Sequence, residues 1–204
     1  MPRVGLIVAV PQSAEGMRSD PAVSVPVAAG FDRALARLHV VSAAPPAVAL
    51  DPGRMLLDVL TAEMLAYHRR FDARRALYRP SVRGFLEYAE QRALRPEEHA
   101  AAQRRRLVDA ASWIEWLAAN RLDAIVEPTV PIVARPRGAG YDAAFTDFAE
   151  ISLTHYWNWT GFPVVAFPAG IGRRGLPVGV SLVGRPGADW DLLAAAAELQ
   201  AQVA

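Results

Sequence analysis

Apolar residues follow two different spacings along the chain, and these spacings predict strands and helices that alternate. Short apolar runs bounded by proline or glycine predict strands at residues 3–10, 39–42, 122–126, 163–168 and 176–183. Three- and four-residue spacing predicts helices at residues 20–38, 51–67, 80–89, 96–119 and 189–199, the last capped by Asp189 or Asp191. Strands and helices mix throughout, so the fold class is α/β or α+β, and no linker divides the chain.

The first and the longest predicted helices carry more specific expectations. Pro26 is expected to kink the first helix or to delay its start. The longest helix begins at Pro96, and Asn120 is expected to end it in a left-handed conformation. Its predicted buried stripe consists of the apolar residues Leu107, Ala111, Ile114 and Leu117.

The length and hydropathy of the chain indicate a compact protein without a membrane segment. With 204 residues, it can bury most of its apolar surface in one core. No apolar run approaches the ~18 residues that a membrane helix requires. The N-terminal apolar stretch covers only residues 4–10 and lacks a small-residue cleavage site, so we interpret it as a first strand rather than a signal peptide. We therefore expect a cytoplasmic protein, and the many alanines and arginines indicate a GC-rich bacterial genome.

Two absent residue types exclude several kinds of chemistry. The chain contains no cysteine, which excludes disulfides, cysteine-ligated zinc and thiol catalysis. All 22 basic residues are arginine, because the sequence contains no lysine. Schiff-base chemistry, a P-loop and a serine–lysine hydrolytic centre therefore cannot be built from this chain alone.

Arginines cluster in one stretch, at positions 69, 70, 74, 75, 79 and 83. Such a run could grip phosphates. The formal net charge is only +1, however, and the acids Asp72, Glu87 and Glu90 lie nearby. We therefore interpret the run as a solvated, ion-paired helix surface and expect no nucleic-acid partner.

Residues 170–175 read Gly-Ile-Gly-Arg-Arg-Gly and match the dinucleotide-binding pattern GxGxxG. That fingerprint needs a helix directly after the glycines. Residues 176–181 instead alternate like a strand and contain Pro177. We predict a turn between two paired strands and no bound nucleotide.

Other catalytic or metal-binding candidates are weak. The four histidines lack ligand spacing, so we expect no metal site, and none of the eight serines lies in a GxSxG elbow. Ser152 and His155 would lie one helical turn apart, without an oxyanion hole or an orienting acid. Glu127 follows a predicted strand, where catalytic carboxylates are found, but we interpret a lone carboxylate there as a solvated loop residue.

The C-terminal third carries a series of motifs in a fixed order. Residues 158–163 read Asn-Trp-Thr-Gly-Phe-Pro, and a strand then leads to Pro-Ala-Gly at 168–170 and Gly-Leu-Pro-Val-Gly at 175–179. This series resembles the distal part of the amidase signature family, which includes bacterial amidases and the A subunit of glutamyl-tRNA amidotransferase. Pro-Thr-Val-Pro at 128–131 and Tyr-Arg-Pro-Ser-Val-Arg at 78–83 resemble earlier segments of that family. The resemblance is colinear over nearly the whole chain and weakest over residues 140–157.

The resemblance implies an α/β fold with a mixed β-sheet flanked by helices. It further implies one partial domain, residues 1–204, that corresponds to the C-terminal half of an amidase domain. The family hydrolyses amides with a serine nucleophile, a bridging serine and a lysine base, all located in its first half. This sequence contains no lysine and no Ser-Ser, Gly-Ser or Ser-Gly pair.

The function implied by the resemblance is therefore part of a C–N hydrolase that supplies sheet and one wall of the substrate pocket but lacks the Ser-Ser-Lys catalytic centre. Arg83, Asn158 and Gly161 are the candidate substrate-binding residues, since a guanidinium can hold a carboxylate or carbonyl. We expect no cofactor and no activity from the isolated chain. A separately encoded N-terminal amidase half would be its partner, with a small amide as substrate. The alternatives are a non-catalytic scaffold remnant or binding module of the same fold and, third, an RNA-contacting subunit.

Overall fold

The computed structural model describes residues 5–10, 24–47, 52–92, 94–138, 153–172 and 175–203. Its elements alternate along the chain in the order β1 (Ile7–Ala9), α1 (Val25–Leu35), β2 (His39–Val40), α2 (Pro52–His68), a 3₁₀ helix (Arg69–Leu77), α3 (Pro80–Gln91), α4 (Pro96–Ala119), β3 (Ala124–Pro128), α5 (His155–Thr160), β4 (Val164–Ile171), β5 (Pro177–Gly184) and α6 (Asp189–Val203). The predicted strands and helices are all present, with shifted boundaries. The expected helix start at residues 20–21 lies outside the described residues.

The strands form one mixed sheet in the order β2-β1-β3-β5-β4. β1 runs parallel to both β2 and β3, whereas β5 runs antiparallel to β3 and β4. Helices cover the sheet, so the predicted α/β fold with a mixed sheet is confirmed. In the part of the chain that the structure describes, no helix is both long and apolar enough to cross a membrane.

A separate hydrophobic core lies on each face of the sheet. Alternate residues of β3 point to opposite faces, so Val126 belongs to the first core and Ile125 to the second. The first core is formed mainly with α1 and α6, and its buried side chains include Phe31, Leu35, Leu192 and Leu199. The second is formed with α4 and α5, and its buried side chains include Trp113, Leu117, Trp157 and Phe162.

Proline and glycine set the boundaries of several elements. Helix α1 begins only at Val25, with Pro26 in its first turn, so the proline delays the helix as expected. The glycine-rich segment joins the antiparallel strands β4 and β5, as predicted, and the Gly172 N–H donates to the carbonyl oxygen of Leu176 at 2.8 Å. Since β5 rather than a helix follows this turn, the structural requirement of a dinucleotide fingerprint is not met.

Two expectations for α4 are wrong. Leu107 is 71% and Ile114 40% exposed, whereas the buried side chains of α4 are Asp109, Trp113, Trp116 and Leu117. The stripe that faces the core is therefore rotated from the predicted one, and only Leu117 belongs to both. At the end of the helix, Asn120 has a φ of −93°, and the left-handed residue is Arg121, with a φ of 53°.

Candidate functional site

The short helix α5 and the turn that ends it carry two of the three predicted substrate-binding residues. α5 ends at Gly161, whose φ of 75° is left-handed, a conformation that glycine adopts without steric cost. The Gly161 N–H donates to the carbonyl oxygen of Trp157 at 2.8 Å. Asn158 is exposed and lies three residues earlier on the same helix. The Asn-x-x-Gly-x-Pro spacing therefore encodes a helix end that places Asn158 and Gly161 side by side, directly before β4.

Arg83, the third candidate, lies in the first turn of α3 and is half-buried. Its Nη1 donates to the carbonyl oxygen of Tyr78 at 2.6 Å and to that of Ala76 at 3.2 Å. The guanidinium therefore holds the end of the 3₁₀ helix against α3. Helices α3 and α5 both pack against α2, so Arg83 and the Asn158–Gly161 turn lie on separate elements that share a neighbour.

The most unusual ionisable group in the structure is Glu127, which sequence reasoning interpreted as a solvated loop residue. That interpretation is wrong, because Glu127 lies within β3 and is only 5% exposed. Its register partner on β5 is Ser181. The indole Nε1–H of Trp157 donates to its Oε1. Burial raises the pKa of Glu127 to about 8, although the hydrogen bond from Trp157 acts in the opposite direction.

A second buried acid, Asp109 on α4, was not singled out from the sequence. It is 1% exposed and accepts hydrogen bonds from the indole Nε1–H of Trp159 at 2.9 Å and from Arg105 Nε at 2.8 Å. The sequence signal for both acids is the pair of tryptophans on α5. A buried indole N–H needs an acceptor, so a tryptophan-rich helix predicts buried acceptors on the elements that pack against it.

A third indole completes this arrangement between α4 and α5. Trp113 Nε1 donates to the Tyr156 hydroxyl oxygen at 2.5 Å, and the two rings meet edge to face at 5.7 Å. Burial raises the pKa of Tyr156 to about 12, so this phenol is neutral in the physiological range. The contacts of Trp113, Trp157 and Trp159 fix α5 against both α4 and β3. They thereby fix the position of the turn that carries Asn158 and Gly161.

Two hydroxyl groups extend the Glu127 face of the sheet. Thr129 Oγ1 lies 2.8 Å from Ser181 Oγ, and Ser181 is 2% exposed. A serine becomes a nucleophile only when a base accepts its proton. Glu127, the cross-strand neighbour of Ser181, is held in its neutral form below about pH 8. This face of the sheet is therefore suited to hydrogen bonding with a ligand rather than to activating a serine.

The arginine run forms an exposed surface, as expected. Arg75 binds the Glu90 carboxylate with both Nη atoms, at 2.5 and 3.1 Å, whereas Arg69, Arg70 and Arg74 are exposed. A cleft of about 240 Å³ beside this pair is lined by Leu65, His68, Arg69, Asp72, Arg75, Leu86 and Glu90. Among the described residues, no three His, Asp or Glu side chains come close enough together to hold a metal ion.

Comparison with known proteins places this arrangement in a wider context. The Amidase family model matches residues 3–193. The A chain of the glutamyl-tRNA(Gln) amidotransferase from Neisseria meningitidis serogroup C (strain FAM18) is 40% identical over 80 residues, which is 39% of this chain and 16% of that protein.

Solved structures show the same fold over the full length of this chain. The crystal structure of an amidase superposes with a TM-score of 0.72 at 22% identity, over 100% of this chain and 47% of the other. A structure of an unexpected vestigial protein complex, described as revealing the origins of an s-triazine catabolic enzyme, superposes with a TM-score of 0.77 at 22% identity, over 98% of this chain and 44% of the other. The chain thus spans less than half the length of these proteins. Because the family model matches most of its residues, the chain belongs to the amidase family.

Proposed function

We propose that this chain is the C-terminal portion of an amide (C–N) hydrolase, supplying sheet and one wall of the substrate pocket, and that a second segment supplies the catalytic centre. The observation that supports this most directly is the incomplete sheet. Solved chains of this fold are more than twice as long. Within the described residues, β4 has a neighbouring strand on one side only.

The backbone of β4 shows where the second segment would bind. The Gly184 N–H donates to the carbonyl oxygen of Pro163 at 3.0 Å, so residues 165 and 167 also occupy hydrogen-bonded positions opposite β5. The backbone groups of Val164 and Ala166 lie at the alternating positions and point to the outer edge. Val164 is 42% exposed and Ala166 is exposed. An unpaired edge in a strand of eight residues is a template for another strand.

The proposal assigns substrate contacts to this chain and bond cleavage to the other segment. Asn158 and the Gly161 turn would line the pocket wall. Arg83 carries five N–H groups, of which Nη1 holds its own loop, and the others would bind a substrate carbonyl. The nucleophile and its base would come from a separately encoded N-terminal amidase half, because this sequence contains no lysine. A cytoplasmic location is part of the same proposal, which fractionation of cells producing the tagged chain would test.

Coexpression tests the proposal. The chain is produced together with the N-terminal portion of an amidase of this fold, meaning the part that precedes the segment this chain matches. We expect a copurifying complex that releases ammonia from small aliphatic or aryl amides. Ala166→Pro removes an outward N–H without breaking a bond to β5, so it should abolish copurification. Ala166→Val keeps the N–H and is the matched control.

Two outcomes would count against the proposal in different ways. A complex that forms but turns over no amide would favour the binding-module alternative. If no complex forms, or if Ala166→Pro copurifies as well as Ala166→Val, the proposed docking edge is wrong. Far-ultraviolet circular dichroism of both variants shows that they are folded.

A further inference from the structure

Helix α4 has an apolar face that the rest of the chain leaves uncovered. Leu107 is 71%, Val108 57% and Ile114 40% exposed. Ala111, between them, is also exposed. Residues 107, 111 and 114 follow helical i, i+4, i+7 spacing, so they form one continuous stripe along about two turns of the helix. The small Ala111 side chain at the middle of the stripe would let another helix approach closely.

Charged residues flank this stripe in a self-complementary way. Exposed Arg104 lies one turn before Leu107, and exposed Glu115 lies at the other end, beside Ile114. Both residues are 5.5 positions from the point midway between residues 109 and 110, which is about 8 Å along the helix axis in each direction. A two-fold axis through that midpoint would therefore place Arg104 of one copy level with Glu115 of the other, twice. The same axis would place Val108 level with Ala111.

From this pattern we propose that α4 pairs with α4 of a second copy of this chain, antiparallel, to form a two-fold homodimer. The aliphatic stripe lies at the centre of the contact, and the two Arg104–Glu115 pairs lie at its ends. A two-fold contact uses the same patch on both partners, which requires the patch to be self-complementary. One helix pair buries less area than a standard interface of about 1,600 Å², so the dimer should dissociate on dilution. The inference does not depend on the proposed amidase function, because α4 and β4 are different surfaces.

Sedimentation velocity of the full chain between ~1 and ~200 μM tests this pairing, at low ionic strength so that charge pairs are not screened. We expect the wild-type chain to shift from monomer towards dimer as concentration rises. Arg104→Glu places Glu against Glu at both ends of the contact, and Glu115→Arg places Arg against Arg. Each variant alone should dimerise at least ~10-fold more weakly. The matched control is Arg74→Glu, which makes the same charge change outside α4 and should dimerise like the wild type.

Mixing the two variants gives the decisive measurement. In an equimolar mixture, the glutamate introduced at position 104 of the first variant would face the arginine introduced at position 115 of the second. At the other end of the contact, the unchanged Glu115 of the first variant would face the unchanged Arg104 of the second, so both ends regain opposite charges. Dimerisation should return in the mixture, a result that misfolding of either variant cannot produce. A wild-type chain that stays monomeric at all concentrations would overturn the proposal. So would single variants that dimerise like the wild type, or a mixture no stronger than its components.

Discussion

The Glu127 carboxyl group has lost nearly all contact with water, since it lies in β3 beneath the Trp157 indole and is 5% exposed. Burial penalises the charged carboxylate more than the single indole hydrogen bond favours it, and the pKa rises from 4.5 to about 8. In the unfolded chain the same group ionises near its ordinary pKa. Between these two values the folded state therefore binds a proton that the unfolded state does not.

This difference predicts a loss of stability with rising pH. The contribution of Glu127 is fully present below about pH 4.5 and is lost as the pH rises to about 8. The pKa difference of about 3.5 corresponds to about 5 kcal/mol of unfolding free energy. Glu127→Gln keeps an acceptor for the Trp157 indole but cannot ionise, so its stability should lack this component. Urea unfolding of both proteins at several pH values between 5 and 8 measures the difference.

The comparison of Glu127→Gln with a surface variant isolates this effect. Glu87 is exposed on α3, and Glu87→Gln should show the same pH dependence as the wild type. The wild type and Glu127→Gln should have similar stability near pH 5, and Glu127→Gln should be the more stable near pH 8. Parallel curves for these two proteins over this range would show that the carboxyl group is solvated after all.

Residue positions differ in how much the sequence can say about them. The left-handed turn at Gly161 follows from its spacing to Asn158 and Pro163, because a helix end is a local event. The burial of Glu127 and Asp109 could not be read from their own surroundings in the chain. Their partners Trp157 and Trp159 are 30 and 50 residues away, and only the packing of α5 on α4 and β3 brings them together.

At the scale of elements, the 3₁₀ helix and its arginines form a surface that binds its own chain. The Arg70 guanidinium carbon lies 3.8 Å from the centre of the Tyr67 ring, Arg75 is held by Glu90, and Arg83 holds the end of the 3₁₀ helix. These contacts occupy cationic groups that a phosphate-binding surface would leave available. With a formal net charge of +1, the chain has little general attraction for a polyanion.

We therefore expect weak binding to RNA. Fluorescence anisotropy with a labelled single-stranded RNA between ~50 and ~200 mM salt should give a shallow salt dependence. The slope should be the same for Arg74→Ala/Arg75→Ala, because few counterions are released by this surface. Arg185→Ala, an exposed arginine outside the run, is the control. Tight binding with a slope that falls only in the double variant would mean that the run is a nucleic-acid site.

Helix α4 shows why the existence of an element is easier to predict than its orientation. Two stripes of α4 have helical apolar spacing, and periodicity alone does not say which one faces the core. Asp109 made the true core stripe look polar, because its partners Arg105 and Trp159 could not be foreseen. The strands were easier to predict, since each is a short apolar run bounded by proline or glycine.

At the scale of the whole molecule, the sheet joins segments far apart in sequence. β1 pairs with β3, and the Ile7 N–H donates to the Asp123 carboxylate at 2.8 Å across 116 positions. No local pattern specifies such a pairing, so the mixed sheet could be anticipated only from the order of motifs in the amidase resemblance. The assignment of residues 1–204 to one partial domain stays a prediction, supported by a single sheet that borders both cores.

The last prediction concerns catalysis by the purified chain, which should not hydrolyse simple aliphatic or aryl amides above background. Amide hydrolysis by a hydroxyl nucleophile needs a base that can accept its proton. The chain has no lysine, and arginine stays protonated at any working pH. Glu127, the carboxyl group nearest to Ser181 in the sheet register, stays neutral below about pH 8. Ammonia release measured between pH 6 and 8 should therefore match buffer alone.

Serine variants identify any nucleophile that this argument overlooks. Ser152 lies outside the described residues, three positions before His155, and Ser181 is buried in β5. Ser152→Ala and Ser181→Ala should be as inactive as the wild-type chain. If the wild-type chain turned over an amide and Ser152→Ala did not, a Ser152–His155 pair would be carrying out the chemistry here assigned to a second segment. Retention of that turnover in Ser181→Ala would exclude Ser181 as the nucleophile, because the substitution removes the only hydroxyl group that Ser181 could contribute to the reaction.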